Sequence, residues 1–123
     1  MSFVPVLQKI LDGSGGGLAA ILMGRDGLAI QQALARRVGE EEGERLGNAG
    51  VELVRILEEI RKASDAFLGG AAQEVIVGLE HYSLVLRCVD EDTVLLVALA
   101  PEGNVGKARF LMRRYIPALQ ADL

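Results

Sequence analysis

One segment of this chain constrains the fold more than any other. From about residue 40 to about residue 67, apolar residues recur with the period of an α-helix. Glutamates crowd its first turns, where the helix dipole favours negative charge, and Gly69-Gly70 end it. Its apolar side covers about half of the circumference, whereas packing on one surface requires a stripe of roughly 100°. This width predicts that the helix packs on two surfaces. The apolar side consists of Leu46, Ala49, Gly50, Leu53, Ile56, Leu57, Ile60, Ala63, Ser64 and Phe67.

Strand-length apolar segments lie on both sides of the long helix, two before it and three after it. Asp26-Gly27 joins the first two, because Asp-Gly supplies the positive φ angles of a tight turn. Shorter helices are predicted at residues 3–11 and from 105 to about 120, the second capped by Asn104. The order α-β-β-α-β-β-β-α, with strands in hairpins, indicates an α+β fold with a mostly antiparallel sheet. The strands are predicted at residues 18–23, 28–34, 73–80, 82–89 and 93–100.

Two of these strands are apolar on both faces, at residues 18–23 and 93–100. A strand that is covered on both faces needs this pattern, so we expect these two in the middle of the sheet. The strand at 28–34 carries two glutamines, and the strand at 73–80 has a weaker second face, so both are expected at edges. The chain fits a single domain over residues 1–123.

Composition and charge exclude several classes of partner. Half of the residues are hydrophobic and 24% are charged, as in globular proteins. A net charge of −4 provides no overall positive field for nucleic acid or an anionic membrane. One cysteine cannot form an internal disulfide, the first residues lack a basic signal-peptide start, and no apolar run reaches the ~18 residues of a membrane span. We expect a cytoplasmic protein.

No set of residues has the spacing of a catalytic or metal site. Gly15-Gly16-Gly17 follows a helix and precedes a strand, whereas a dinucleotide-binding fingerprint follows a strand and opens a helix. His81 and Cys88 are seven residues apart along a predicted strand, so they face opposite sides, and Cys88 is expected in the core. No combination of His, Cys and carboxylates has metal-ligand spacing. We therefore expect no catalysis and no cofactor.

The last helix is basic, and one aromatic residue lies among its charges. Phe110 points away from the apolar side of this helix. Isolated exposed apolar residues are common, so we expect a solvated face with Phe110 packed against the first helix. The alternative is a contact surface for an acidic or phosphate-bearing partner. The basic residues are Lys107, Arg109, Arg113 and Arg114.

Small residues form a row along one flank of the long helix, at Gly43, Gly47, Gly50 and Val54. Each interior glycine costs about 1 kcal/mol relative to alanine, so the row requires a physical reason. One reason is the close approach of a partner helix. The other is a frayed first turn without a partner.

The element order and two motifs resemble the roadblock (dynein light-chain) family, especially its bacterial, MglB-like members. The first motif is the strand, Asp-Gly turn and strand of GGLAAILMGRDGLAI at residues 16–30. The second is Gly-x-x-Arg at the start of the last helix, from Gly106 to Arg109. The resemblance covers about residues 3 to 119. It implies a profilin-like, five-stranded antiparallel sheet with the long helix on one face and the N- and C-terminal helices on the other.

The resemblance also implies a function. Family members dimerise through the long helix and the third strand, and bacterial members bind small Ras-like GTPases and sometimes accelerate GTP hydrolysis. It therefore implies a non-enzymatic homodimer that regulates or scaffolds such a GTPase. A structural adaptor like a motor light chain and a small-molecule sensor domain are the alternatives.

The predicted dimer and partner-binding sites follow from the family resemblance and from a helical wheel of the long helix. The expected dimer interface consists of Leu46, Gly50, Leu53, Val54, Leu57, Val75, Ile76 and Val77. The expected partner-binding surface consists of Gly47, Val51, Val54, Arg55, Glu58 and Arg61.

Overall fold

The computed structural model describes residues 2–123, and within this range the chain forms three helices and five strands in the predicted order. The α+β fold class is thereby confirmed. The third strand is shorter than the predicted segment 73–80, and the other bounds differ by one or two residues. The elements are α1 (Val4–Gly13), β1 (Gly17–Gly24), β2 (Ala29–Leu34), α2 (Glu40–Asp65), β3 (Glu74–Gly78), β4 (Ser83–Cys88), β5 (Thr93–Leu99) and α3 (Val105–Ala121).

The five strands form one antiparallel sheet in the order β2-β1-β5-β4-β3. Every residue of β5 is buried, and β1 is buried from Leu18 to Met23. Their central position is as predicted, because a strand with helices on both faces must be apolar on both. β2 and β3 form the two edges, also as predicted.

The helices form two layers, with α2 on one face of the sheet and α1 with α3 on the other. Alternate residues of the central strands supply the two faces. Leu22, Leu95 and Val97 lie in the cluster with α1 and α3, whereas Ile21 and Leu96 lie in the cluster with α2. This is the arrangement that the family resemblance implied.

Two glycines of α2 are explained by close packing on the chain's own sheet. A Cβ on Gly43 would lie 2.8 Å from Leu34 Cδ1, and a Cβ on Gly50 would lie 3.1 Å from Leu96 Cδ2. Both glycines are buried against the sheet, so a frayed first turn is wrong for Gly43, and the close approach that Gly43 and Gly50 permit is to the chain's own sheet and not to a partner helix. Gly47 differs, because a Cβ there would meet no atom within 4 Å.

The start of α3 is capped as predicted. The side chain of Asn104 accepts a hydrogen bond from the backbone N–H of Lys107 at 2.9 Å. Pro117 lies inside α3, which continues past it to Ala121. Neither α3 nor any other helix within residues 2–123 is both long enough and apolar enough to cross a membrane.

Candidate partner-binding surfaces

α2 contacts its own sheet through a row of aliphatic side chains. These side chains are 7% exposed or less and belong to the cluster between α2 and the sheet. Because they are enclosed within one chain, they are not part of its surface. The row consists of Leu46, Leu53, Val54 and Leu57.

One flank of α2 overlooks the β3 side of the sheet. Tyr82, which precedes β4, donates a hydrogen bond from its hydroxyl to Glu42 Oε2 at 2.6 Å. This contact shows that Glu42 lies on the side of α2 that faces β4 and β3. Residues at helical spacing from Glu42 lie along the same flank. Ile56 is 47% exposed and Ile60 is 40% exposed, so two large aliphatic side chains one helical turn apart lie together on the surface. We define the β3 flank as Ala49, Ile56, Ile60 and Ala63.

β3 continues this apolar surface at the edge of the sheet. It pairs only with β4 among the described strands, so its outer edge carries unpaired backbone groups. Val75 and Val77 are half-buried on the α2 side, whereas Ile76 is 46% exposed on the side of α1 and α3. An open strand edge beside an exposed aliphatic helix flank is a surface suited to another protein chain.

The structure divides the predicted dimer residues into two groups. Five of them are buried against the chain's own sheet, and only the three residues of β3 lie at an open edge. The exposed large aliphatic residues of α2 beside β3 are Ile56 and Ile60, which the prediction did not include. The buried five are Leu46, Gly50, Leu53, Val54 and Leu57.

The opposite flank of α2 overlooks the hairpin of β1 and β2. A Cβ on Gly27, in the hairpin turn, would lie 3.2 Å from Val51 Cγ1. Glu58, two turns further along α2, accepts a hydrogen bond from Arg25 of the hairpin. We define the β2 flank as Gly47, Val51 and Glu58. Between it and β2 lies an open depression, the β2 groove, lined by Met23, Gly27, Ala29, Gln32, Leu34, Glu40, Gly43, Glu44, Gly47, Asn48 and Val51.

A network of ion pairs lies at the C-terminal end of the β2 flank. Glu58 accepts from Arg25 Nη1 at 3.0 Å and from Arg61 Nε at 3.0 Å. The hydrogen bond from Arg61, together with the charges of Arg61 and Arg25, lowers the pKa of the Glu58 carboxyl below its ordinary value. Arg25 also donates to Cys88 Sγ at 3.2 Å, so it joins the hairpin to α2 and β4.

No sequence pattern predicts the contact between Arg25 and Glu58. Arg25 and Glu58 are 33 residues apart, and their contact depends on how α2 crosses the hairpin, which no local pattern encodes. The Asp-Gly turn predicts the hairpin in which Arg25 lies, but it does not predict that α2 packs beside this hairpin.

The structure brings most of the predicted partner-binding residues together. Gly47, Val51 and Glu58 form the β2 flank, and Arg55 and Arg61 are exposed beside it. Val54 is the exception. It is 4% exposed and packs on the sheet, so its predicted place on the partner-binding surface is wrong for the single chain.

On the other face of the sheet, Arg109 of α3 is held by an ion-pair cluster. Glu74 of β3 is only 12% exposed and accepts from Arg87 Nη1 at 2.9 Å and from Arg109 Nε at 2.7 Å. The cluster joins β3, β4 and α3. Arg109 is therefore less available to a partner than the other cations of α3.

Phe110 does not pack against α1, and this expectation is wrong. Its side chain is 60% exposed. Leu111 and Tyr115 fill the α1 side of α3 instead: a Cβ on Gly13 would lie 2.7 Å from Leu111 Cδ1, and Lys9 lies over the Tyr115 ring. Residues 111 and 115 share a flank of the helix that residue 110 does not, because side chains four residues apart lie above one another.

The residues considered for chemistry are not brought together. His81 is exposed in the turn before β4. Cys88 lies at the far end of β4, half-buried, with its Sγ 3.3 Å from the carbonyl oxygen of Ala72. Within residues 2–123, no group of three or more His, Cys, Asp or Glu side chains is arranged to hold a metal ion.

Comparison with known proteins gives matches among solved structures. No protein-family model and no curated protein matches the chain. The structure of a Roadblock/LC7 domain from Streptomyces avermitilis has a TM-score of 0.82 at 16% identity, over 98% of this chain and 97% of that one. Gliding protein MglB from Thermus thermophilus has a TM-score of 0.82 at 18% identity, over 94% of this chain and 83% of that one. These two likenesses show the shared fold.

The sequence likeness to a third structure is greater. MglC from Myxococcus xanthus is 32% identical to this chain, with 100% of both chains covered and a TM-score of 0.69. An identity of this size over the whole length shows common descent as well as a common fold. The chain therefore belongs to the roadblock/LC7 family, as a relative of MglC.

Proposed function

We propose that this protein is a non-enzymatic, dimeric binding module that regulates or scaffolds a small Ras-like GTPase. The observation that supports this most is that α2 exposes two chemically different flanks while its third side packs on the sheet. One flank is aliphatic and continues into an open strand edge. The other combines small residues with a charged network. Two different surfaces on one helix suit a self-contact and a partner contact.

The β3 flank and the edge of β3 support the self-contact. Ile56 and Ile60 expose aliphatic surface, and burial of such surface is the main driving force of association. Two β3 strands that pair across a two-fold axis satisfy each other's free backbone groups, because a two-fold contact uses the same patch twice. The sheet then continues from one protomer into its partner.

The β2 flank supports the partner contact. Gly47 leaves open space above the helix backbone, and Val51 adds a small apolar surface beside it. The charged side chains of Arg55, Glu58 and Arg61 border the C-terminal end of this patch. A small apolar centre with a charged rim is the usual anatomy of a protein interface, and the rim fixes orientation and speeds encounter.

The arginines beside the β2 flank are engaged by carboxylates of the same chain. Arg61 and Arg25 both form ion pairs with the Glu58 carboxylate. Arg55 Nη1 lies 3.4 Å from Glu52 Oε2. An arginine that stabilises a phosphoryl-transfer transition state must leave such a partner. We therefore propose that any acceleration of GTP hydrolysis comes from repositioning the loops of the GTPase itself.

Single-turnover GTP hydrolysis by a small Ras-like GTPase, with and without this protein, tests the proposal. We expect the rate to change on addition of the protein and no hydrolysis by the protein alone. Arg55→Ala and Arg61→Ala are expected to leave the maximal rate nearly intact. A loss of roughly a thousandfold from either substitution, with binding retained, would indicate an inserted arginine instead. Binding without any change in rate would favour the adaptor alternative.

A further inference from the structure

The outward surface of α3 presents one aromatic side chain inside a ring of cations. Phe110 is 60% exposed. Lys107, Arg113 and Arg114 stand three residues before it and three and four residues after it, so all three are its neighbours on the helix surface. None of these cations forms an ion pair with a carboxylate of residues 2–123. We call these four residues the α3 knob.

The charge of α3 is opposite to that of the rest of the molecule. The helix contains four basic residues and no acidic one. Since the whole chain has a net charge of −4, the remainder carries a net charge of −8. The knob is a local positive surface on an acidic protein, and its electrostatic complement is an acidic surface with room for an aromatic ring.

The β2 groove has these two properties. Glu40 and Glu44 line it, both are exposed, and neither forms an ion pair within residues 2–123. Gly43 and Gly47 lie in its α2 wall together with Asn48 and Val51, and a Cβ on Gly47 would meet open space. Within the described part of the chain, no basic side chain lines the groove. A small-residue wall with an acidic rim matches an aromatic side chain with a basic rim.

The knob and the groove cannot meet within one molecule. The knob lies on α3, which packs on one face of the sheet, and the groove lies beside α2, which packs on the other. We propose that the α3 knob of one copy docks into the β2 groove of a second copy. Such a contact joins two different patches, so each added copy leaves one knob and one groove free and assembly can continue.

This contact is separate from the proposed self-contact through the β3 flank. It uses neither the β3 flank nor the edge of β3. In the proposed dimer both protomers keep a free knob and a free groove, so the contact joins dimers into larger species. Because the groove includes Gly47 and Val51, a docked knob also occludes the proposed partner-binding surface.

An anionic membrane is the competing occupant of a basic surface with an exposed aromatic residue. The net charge of −8 on the rest of the chain opposes approach to such a membrane. The groove on the same chain supplies both the negative rim and the cavity that the knob requires. The observations therefore favour a second copy over a membrane.

Sedimentation velocity over a concentration series tests the proposal with one variant on each side of the contact. Phe110→Asp removes the knob at an exposed position, and Gly47→Arg fills the groove with a like charge at a position where the chain leaves space. We expect the wild-type mass to rise with concentration at about 0.05 M NaCl and less at about 0.5 M, because salt screens exposed charges. Each variant is expected to weaken this association about thirtyfold while keeping the helical circular dichroism of the wild type.

Mixing the two variants provides the sharpest control. Phe110→Asp retains a groove and Gly47→Arg retains a knob, so the mixture is expected to regain one contact that neither variant forms alone. Leu123→Ser, at an exposed apolar residue outside both surfaces, is expected to associate like the wild type. A wild-type mass that stays constant with concentration, or a Phe110→Asp variant that associates as strongly as the wild type, would overturn the proposal. Phe110-dependent binding to phosphatidylserine vesicles without self-association would assign the knob to membranes instead.

Self-association through the knob and binding of a GTPase can be measured separately. Phe110 lies on the face of the sheet opposite α2, so Phe110→Asp is expected to retain GTPase binding, and to strengthen it at concentrations at which docked knobs occlude the β2 flank of the wild type. Loss of self-association with retained GTPase binding therefore supports the knob and the partner surface independently.

Discussion

At the scale of single residues, the hydrogen bond from Tyr82 to Glu42 joins the first turns of α2 to the segment that precedes β4. The bond to the Glu42 carboxylate, with some burial, raises the pKa of the Tyr82 phenol above its ordinary value. A raised pKa in the folded state means that this contribution to stability is complete below the unfolded pKa, near 10, and is lost as the pH rises through the folded pKa.

Tyr82→Phe tests this contact. At pH 8 we expect the substitution to lower the free energy of unfolding by about 1 kcal/mol, the usual net value of a hydrogen bond. Above the ordinary phenol pKa the difference between the wild type and the variant is expected to shrink. Urea midpoints at pH 8 and at about pH 11 measure it. A difference that is independent of pH would contradict the assignment.

The second prediction at this scale concerns Glu58. Its lowered pKa means that its contribution to stability is present above the unfolded carboxyl pKa and is lost as the pH falls through the folded pKa. We therefore expect Glu58→Gln to flatten the stability profile on the acidic side, below about pH 4.3. Thermal midpoints from neutral pH down to about pH 3 would show this, and Glu59→Gln, on the solvent side of α2, is the matched control. If the thermal midpoint of Glu58→Gln falls with pH as steeply as that of the wild type, Arg61 and Arg25 do not stabilise the ionised Glu58 carboxylate.

The side chains of α2 show which part of the structure the sequence pattern predicts. The pattern correctly gave a helix whose apolar side is too wide for one contact. The pattern could not separate the residues that pack on the sheet from those that stay exposed. Leu53, Val54, Ile56 and Ile60 are all aliphatic and differ only in their angular position around the helix axis. The division depends on the tilt of α2 across the sheet, which is set by long-range packing. Val54 is therefore buried, whereas Ile56 and Ile60 are exposed.

At the scale of elements, the glycines of α2 give a matched pair of substitutions. Gly47→Ala is expected to raise the free energy of unfolding by about 1 kcal/mol, because the new Cβ meets open space and alanine favours the helix. Gly50→Ala is expected to gain less or to destabilise, because the new Cβ would press on the fully buried Met23 and Leu96. Urea unfolding of both variants measures the difference, and equal stabilisation would contradict the packing described for Gly50.

A second pair of substitutions separates the two sides of α2. Ile60→Glu places a charge on the exposed β3 flank, so we expect the proposed dimer to dissociate while the fold is kept. Val54→Asp places a charge in the layer between α2 and the sheet, where an unpaired carboxylate costs several kcal/mol, comparable to the whole stability of a domain. We expect that variant to unfold. Light scattering and circular dichroism distinguish the results, and a folded Ile60→Glu variant with the wild-type mass would contradict the assigned interface.

The elements themselves followed from the sequence far better than their contacts. The doubly apolar pattern of residues 18–23 and 93–100 placed β1 and β5 correctly, because burial on both faces leaves a composition that no edge strand has. Phe110 was misplaced because the pattern gives the side of α3 on which it lies but not the direction in which α1 crosses. The Glu74 cluster with Arg87 and Arg109 was invisible for the same reason, since it joins three elements.

At the scale of the whole molecule, the sheet separates surfaces of different character. One face carries α2 with its aliphatic β3 flank and the β2 groove with its acidic rim. The other carries α3 with its basic knob. A two-fold dimer through β3 places the β2 flanks of the two protomers on its outer sides, because β2 and β3 are opposite edges of the sheet. Each protomer therefore offers one separate site, and we propose one GTPase per copy of this protein.

The measurement that tests the central claim most directly is a calorimetric titration of the protein with a small Ras-like GTPase loaded with GTP or with GDP. We predict binding that depends on the nucleotide, with one GTPase per copy of this protein. Val51→Glu, on the β2 flank, is expected to abolish binding, whereas Ala118→Glu, which places the same side chain at an exposed position of α3, is expected to leave it intact. Equal binding by the wild type and Val51→Glu, or no binding to the GTPase in either nucleotide state, would contradict the account.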